Sequence, residues 1–490
     1  MSSKTPSINQ VEKSSDANSS DLVTTGHPGL DALPDAQDWS AAEEHALVKK
    51  LDFRIIPMMS IVFALSLLDR ANISAAYISG MNKDLAMAEG ARYSIALLVF
   101  FPAYVIFQLP SNLVIRRIGA RIWLSFLILG FGITVLGMGF VKSWIPLAVL
   151  RALLGAFEAG LLPGCIYLVA CWYRTFETAK RISIFYMSSI TAVGFGGIFA
   201  YALQLISVGD GMYAQGWRWI YIIEGLLTIV AAVACLFTVP QFPEKATWLT
   251  DRERHIATAR ITVDRGEEEW KQPTTKQSLK LLLDPKLLVT SWMYFATASS
   301  SYSISFFFPI ILTQGIGFKY TIALVLTSTP YFSAIIGSVL LAWLSDKYRT
   351  RWPIILFQTV AAVFGLLLVL LVKTPGARLF GIFVAVFGVQ SNAASIHSYS
   401  QSQVANPEKR SMTAVAIVMA GALGGIAGST IFRSQDAPKY LPGMWTSICL
   451  NISIIFCVLG LTWHLKKQNR MLDEGKIGPL EGVVGFKYTP

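Results

Sequence analysis

Apolar residues in this chain come in long blocks and do not alternate with polar ones. A helix that crosses a bilayer needs about 20 mostly apolar residues. Nine stretches free of Asp, Glu, Lys and Arg are long enough: 93–115, 122–141, 182–209, 287–318, 320–345, 352–372, 379–407, 411–432 and 440–465. Three more apolar segments, 55–79, 144–170 and 217–239, carry a few charges. The pattern predicts an all-α polytopic protein of twelve transmembrane helices. The longest internal polar stretch, 240–286, divides them six and six.

The expected organisation follows. Residues 1–50 are a polar tail with no apolar run and hence no cleavable signal. The tail is expected to be disordered to about Trp39, then to form a short amphipathic helix through Lys50. Residues 51–239 make one six-helix bundle, 240–286 a linker, 287–466 a second bundle and 467–490 a second tail. Within the linker, Thr250 or Asp251 is expected to cap a surface helix.

Basic residues fix the orientation. Alternate loops carry Arg116, Arg117 and Arg121; Arg174, Lys180 and Arg181; Lys347, Arg349 and Arg351; Lys409 and Arg410. The intervening loops carry one or two each. Because cytosolic loops are the basic ones, both termini and the linker are expected in the cytosol.

Composition supports a lipid solvent. Of the 490 residues 53% are hydrophobic and 14% charged, where globular chains carry about 25% charged. Mean hydropathy is +0.52. A soluble protein with so little charge would associate. This excludes a disordered chain, a collagen and a typical soluble enzyme. The net charge of +11 is explained by topology signals beside anionic lipid, so membrane lipid and not nucleic acid is the expected partner. The five cysteines, Cys165, Cys171, Cys235, Cys449 and Cys457, show no CxxC and no metal spacing. No phosphate-binding loop or nucleophile constellation is evident, so neither an enzyme nor a resident cofactor or metal is expected.

Ionisable groups at membrane depth are costly and mark function. They are concentrated in the first half: Asp69 and Arg70, Arg151 and Glu158, and Glu224. Arg151 and Glu158, seven residues apart, share a helix face but are too far apart to pair directly. Each is expected to find a partner on another helix. With all five ionised the group is net negative by one, and one proton balances it. That suits proton coupling through Glu158, Asp69 or Glu224. The alternative is an ion-pair lattice that only holds helices together. Arg70 and Arg151 are candidates to grip an anion with paired hydrogen bonds. The second half offers uncharged polar groups: Tyr302 among a serine run, then Gln390, Asn392 and His397. Of these Tyr302, Gln390 and Asn392 are the candidate substrate contacts.

The six-plus-six layout with a basic linker resembles the major facilitator superfamily. Trp343-Leu-Ser-Asp346-Lys347-Tyr-Arg349-Thr-Arg351 resembles that superfamily's gating motif, with Ala342 in place of the usual glycine. Its first copy is altered, with Asn112 near the usual acidic place, followed by Arg116. Further runs resemble the anion:cation symporter branch: Leu68-Asp69-Arg70-Ala71-Asn72-Ile73, Pro110-Ser111-Asn112, Arg151 to Gly164, Gly216 to Gly225 and Trp248 to Arg254. Asn406-Pro-Glu-Lys409-Arg410 and Asp436-Ala-Pro438-Lys-Tyr440 fit fungal allantoate and nicotinate permeases. Helix 5 lacks the Gly-Pro pair of drug:proton antiporters. The resemblance implies two six-helix bundles in the major facilitator fold and proton-driven symport of a small organic anion by a plasma-membrane protein, expected as a monomer. It implies gating roles for Asp346, Lys347, Arg351, Asn112 and Arg116. The alternatives are an exporter of a small metabolite, a non-transporting nutrient sensor, and a vacuolar location.

Overall fold

The computed structural model describes residues 39–489 except 207, 209–210, 212–213, 244–245, 266–282, 349, 405–406, 434–435, 437–439 and 483–485. Most of the expected polar tail and the second part of the linker lie outside the described residues. In the first half the helices are α1 (Ala41–Ala76), α2 (Arg92–Leu98), α3 (Phe100–Ile118), α4 (Ala120–Met138), α5 (Trp144–Glu158), α6 (Leu161–Trp172), α7 (Thr175–Gln204) and α8 (Gly216–Thr238). The linker holds α9 (Asp251–Arg265). The second half is α10 (Pro285–Ile310), α11 (Tyr320–Tyr348), α12 (Trp352–Leu371), α13 (Pro375–Ser402), α14 (Pro407–Ile431) and α15 (Leu441–Asp473).

Among the described residues, 11 helical runs are long and apolar enough to cross a membrane. The remaining expected span, 93–115, is formed by α2 and α3 with a break at Val99. Pro102 accounts for that break: it lacks the N–H that would bond the Leu98 carbonyl. The span at 144–170 breaks in the same way between α5 and α6, where Pro163 leaves the Ala159 carbonyl without its helical donor. Outward-facing Phe126, Ile133, Val230, Phe456 and Trp463 are exposed, as helices bathed in lipid require.

The helix expected to end at Lys50 does not end there. Residues 41–50 are the first turns of α1, which continues past Pro57 to Ala76. Ser40 and Glu43 form a capping box, with Ser40 Oγ accepting from the Glu43 N–H at 3.2 Å. In the linker, Thr250 Oγ1 accepts from the Glu253 N–H at 3.2 Å. Thr250 is therefore the cap of α9.

Each half packs largely upon itself. In the first half α1 lies against α7 and α8, α4 against α8, and α3 against α5; in the second, α12 lies against α13 and α10 against α14. Small residues allow the closest crossings. A Cβ at Gly388 would sit 2.5 Å from the Gln358 carbonyl oxygen and the Ala362 nitrogen of α12.

The halves meet at the end of the bundle where α1 leaves and α2 begins. Tyr93 of α2 donates to the Phe306 carbonyl of α10 at 3.0 Å. A chain of ring contacts runs from Tyr77 to Tyr93, Phe307, Phe432 and Tyr440 at 4.5–5.9 Å between neighbours. Between α7 and α11, the Ile198 N–H donates to Ser328 Oγ at 3.1 Å and Phe195 meets Phe332 at 4.9 Å. Among the described residues, the ion pairs at the opposite end join helices of one half to each other or to the linker or tail. Asp52 is held by Arg181 at 2.6 Å, and Glu44 meets Arg174 at 2.9 Å. The second half is clasped by its tail, where Glu481 meets Lys409 at 3.1 Å and also pairs with Lys286.

Candidate functional site

The five buried ionisable residues lie within electrostatic reach of one another, as one cluster, and divide into three hydrogen-bonding arrangements. In the first, Arg70 of α1 pairs with Glu158 at the end of α5. Glu158 Oε1 also accepts from Ser66, one turn earlier on α1, while Glu158 Oε2 is buried without a partner. The other arm of the Arg70 guanidinium donates to the Tyr302 hydroxyl of α10 at 2.7 Å. One arginine thus joins a carboxylate of its own half to a phenol of the other. Three rings enclose it: Phe100 at 4.8 Å, Tyr104 at 5.3 Å and Tyr302 at 5.9 Å. Tyr302 is half-buried, so the pair stands at the edge of the interface between halves.

The second arrangement lies between α1 and α8. Asn72, three residues after Asp69, donates to Glu224 Oε1. Thr228, four residues after Glu224, donates to Asp69 Oδ2 at 3.3 Å. Helical spacing places each donor one turn from its own carboxylate and beside the carboxylate of the other helix. Asp69 Oδ1 and Glu224 Oε2 remain buried without partners.

Arg151 is in electrostatic reach of both but is hydrogen-bonded to neither among the described residues. The partner expected for it on another helix is not a carboxylate. Its Nε donates to the Ala96 carbonyl at 3.4 Å, and Nη1 and Nη2 have no acceptor among the described residues. The Phe100 ring is 5.4 Å from its guanidinium. Phe100 is therefore within reach of both buried arginines. Arg151 is fully buried because α5 presents it inward toward the α2–α3 break.

In the second half, Gln390 of α13 is half-buried and accepts from Ser301 of α10 at 3.1 Å. Asn392, two residues on, points elsewhere. It is fully buried and donates to Thr359 of α12 at 2.9 Å, which makes it a contact within the second half. Its Oδ1, and both amide atoms of buried Gln358 nearby in the chain of α12, lack partners. Of the gating residues, Arg351 bonds Ser398 of α13. Lys347 lies over the Trp343 ring at 4.9 Å, and Asn112 is half-buried on α3. The side chains of Arg116 and Asp346 lie outside the described residues.

Five members of this constellation escaped the sequence reading: Ser66, Asn72, Thr228, Phe100 and Tyr104. For the first three the signal was present. Ser66 is four residues before Arg70, and Asn72 and Thr228 stand one turn from a charged residue on the same helix face. Phe100 and Tyr104 carried no such signal, because both lie within an unbroken run free of charged residues.

Comparison with known proteins gives a consistent result. The family model described as Major Facilitator Superfamily matches residues 59–429. An MFS-type transporter, cnsO, of Penicillium expansum is 30% identical over 92% of this chain and 88% of its own length. The high-affinity nicotinic acid transporter of Saccharomyces cerevisiae is 29% identical over 87% of this chain and 79% of its own. In fold, the chain resembles a bacterial homologue of the human lysosomal transporter Spinster in an inward-facing, occupied conformation. That match has a TM-score of 0.64 at 15% identity, covering 90% of this chain and 100% of the other. A D-xylose–proton symporter matches with a TM-score of 0.63 at 16% identity, over 84% of this chain and 97% of its own.

Proposed function

This chain belongs to the major facilitator superfamily and is a multi-pass membrane transporter, not an enzyme; from that premise we propose that it carries a small organic anion together with a proton. The observation that carries this reading is the bridge from Glu158 through Arg70 to Tyr302. A cation at the interface between halves, held by a carboxylate, is a switchable anion site. When Glu158 takes a proton, its charge no longer holds Arg70. The guanidinium is then free to grip a carboxylate of the substrate, with Tyr302 and Gln390 as neutral contacts from the other half. Proton and anion thus occupy the site together, and the halves rock about it.

Asp69 and Glu224 supply two more carboxylates behind this site, through which the proton leaves. The relative named as a nicotinic acid transporter supports an aromatic or vitamin-like monocarboxylate as the substrate class. The termini are taken as cytosolic, so the closed end described above faces outward. A lone anion entering a negative interior works against about 2.3 kcal/mol per 100 mV. One proton cancels that electrical cost and leaves the pH gradient as the drive.

The test is uptake of labelled nicotinate and related carboxylates by cells lacking their own carrier, at acid and neutral pH. Accumulation that is abolished by a proton ionophore is the expected result. In Glu158→Gln, counterflow of preloaded substrate should persist while pH-driven accumulation disappears. Accumulation by Glu158→Gln with unchanged pH dependence would remove Glu158 from the proton path.

A further inference from the structure

A groove of about 490 Å³ opens on the outer face of α1, near its amino-terminal end. Along α1, Lys50, Arg54, Pro57 and Ile61 line it. Their spacing of four, three and four residues puts them on one helical stripe. The stripe changes from cationic to apolar within two turns, roughly 10 Å. Phe53, also in the wall, and Ile61 are 75% and 52% exposed. Thr238 at the end of α8 and Trp248 of the linker close the cationic end.

Cations dominate the polar lining of this groove. Arg54 is fixed in place: Nε donates to the Thr238 carbonyl at 3.1 Å, Nη2 to the Phe237 carbonyl at 3.4 Å, and the Trp248 ring lies 4.7 Å away. These bonds leave Arg54 Nη1 uncommitted among the described residues. The Trp248 indole N–H is buried without an acceptor. The Thr238 hydroxyl donates to the Ala234 carbonyl at 2.8 Å. The nearby carboxylate, Glu253, is taken at both oxygens by Lys50 at 2.8 Å.

We propose that this groove binds one anionic glycerophospholipid of the leaflet beside the chain termini. Its phosphate lies between Lys50 and Arg54, above the Trp248 ring, and an acyl chain runs along Pro57 and Ile61. The cationic lining selects an acceptor-rich headgroup. No carboxylate is left uncommitted there for the ammonium of a zwitterionic lipid, so net negative charge is favoured. The apolar wall, continuous with the cations, selects a lipid over a soluble phosphate. The bound lipid ties the first turns of α1 to the end of α8 and to the linker. It is therefore a stabilising ligand of the first half, independent of what the protein transports.

The experiment uses the full chain in bilayer discs of phosphatidylcholine alone, or with a minor share of phosphatidylserine. Thermal unfolding and native mass spectrometry are the readouts. Phosphatidylserine should raise the unfolding midpoint and remain bound as one retained molecule. Arg54→Gln should abolish the rise and lower retained phosphatidylserine about tenfold, the scale of one charge-assisted contact. Glu253→Gln, which frees Lys50, should enlarge the rise. Inorganic phosphate added to phosphatidylcholine discs should leave the midpoint unchanged. Equal midpoints for the wild type in both bilayers overturn the proposal. So does an Arg54→Gln variant that is destabilised equally in both while still retaining phosphatidylserine, since that would make Arg54 only a clamp on α8. A midpoint raised by inorganic phosphate alone would mark a soluble-anion site instead.

Discussion

Arg151 is buried with two guanidinium nitrogens lacking an acceptor, a costly arrangement to keep for packing alone. Breaking even with well-packed apolar side chains is common for buried charges, and replacement often stabilises by about 1–4 kcal/mol. Arg151→Met, of similar length, is thus expected to raise the thermal midpoint while lowering concentrative uptake. A midpoint scan paired with an uptake assay checks both. A variant that loses stability and keeps uptake would make Arg151 a structural residue. At this scale the sequence announced which residues would be charged and buried, but not how they would be shared. The spacing of Arg151 and Glu158 was legible, and so was their inability to pair. That Glu158 would take Arg70 while Asp69, its immediate neighbour, would turn to Thr228 depends on the rotation of α1. One residue along a helix turns the side chain by about 100°, and no pattern of apolar residues fixes which helix each direction meets. The same limit explains Gln390 and Asn392, two residues apart and facing different neighbours.

The elements themselves were more readable. Long apolar runs place the helices because backbone groups within a bilayer have to be satisfied inside the segment. The breaks before Pro102 and Pro163 could have been anticipated from the missing N–H, and the continuity of α1 through residues 41–50 could not. Capping at Ser40 and the ion pairs of Glu44 and Asp52 with Arg174 and Arg181 extend that helix beyond the apolar run. The tail after α15 is an element held by charge. Burial works against the Glu481 carboxylate, but hydrogen bonds and attraction from Lys286 and Lys409 outweigh it and hold the group below its usual range. Such a group contributes stability above its unfolded value and loses it as pH falls through the folded one. Protection factors of residues 474–482, corrected for the intrinsic pH dependence of exchange, should therefore be high at neutral pH and fall as pH drops through the lowered folded value of Glu481. Glu481→Gln should exchange quickly at neutral pH as well; unchanged protection would show that Leu480 and Tyr488, buried against the second half, hold the tail unaided.

At the scale of the whole molecule, the division of labour between halves is plain in the chain. Among the described residues, the Asp, Glu and Arg side chains at membrane depth belong to the first half, and the second contributes phenol, amide, imidazole and hydroxyl groups. The closed end joins the halves through α7 and α11, where a Cβ at Gly194 would lie 3.3 Å from that of Tyr331. Disulfides place these atoms about 3.5–4.5 Å apart. The double variant Gly194→Cys, Tyr331→Cys should cross-link on mild oxidation, stop transport, and recover on reduction. Each single variant serves as the control for the five native thiols. Cross-linked protein that still transports would mean that this contact does not open during the cycle.

The ring of Phe100 follows immediately on the interruption at Val99 and lies against both Arg70 and Arg151. A displacement of α3 that moves this ring alters the surroundings of two guanidinium groups at once, since a single aromatic face is shared between them.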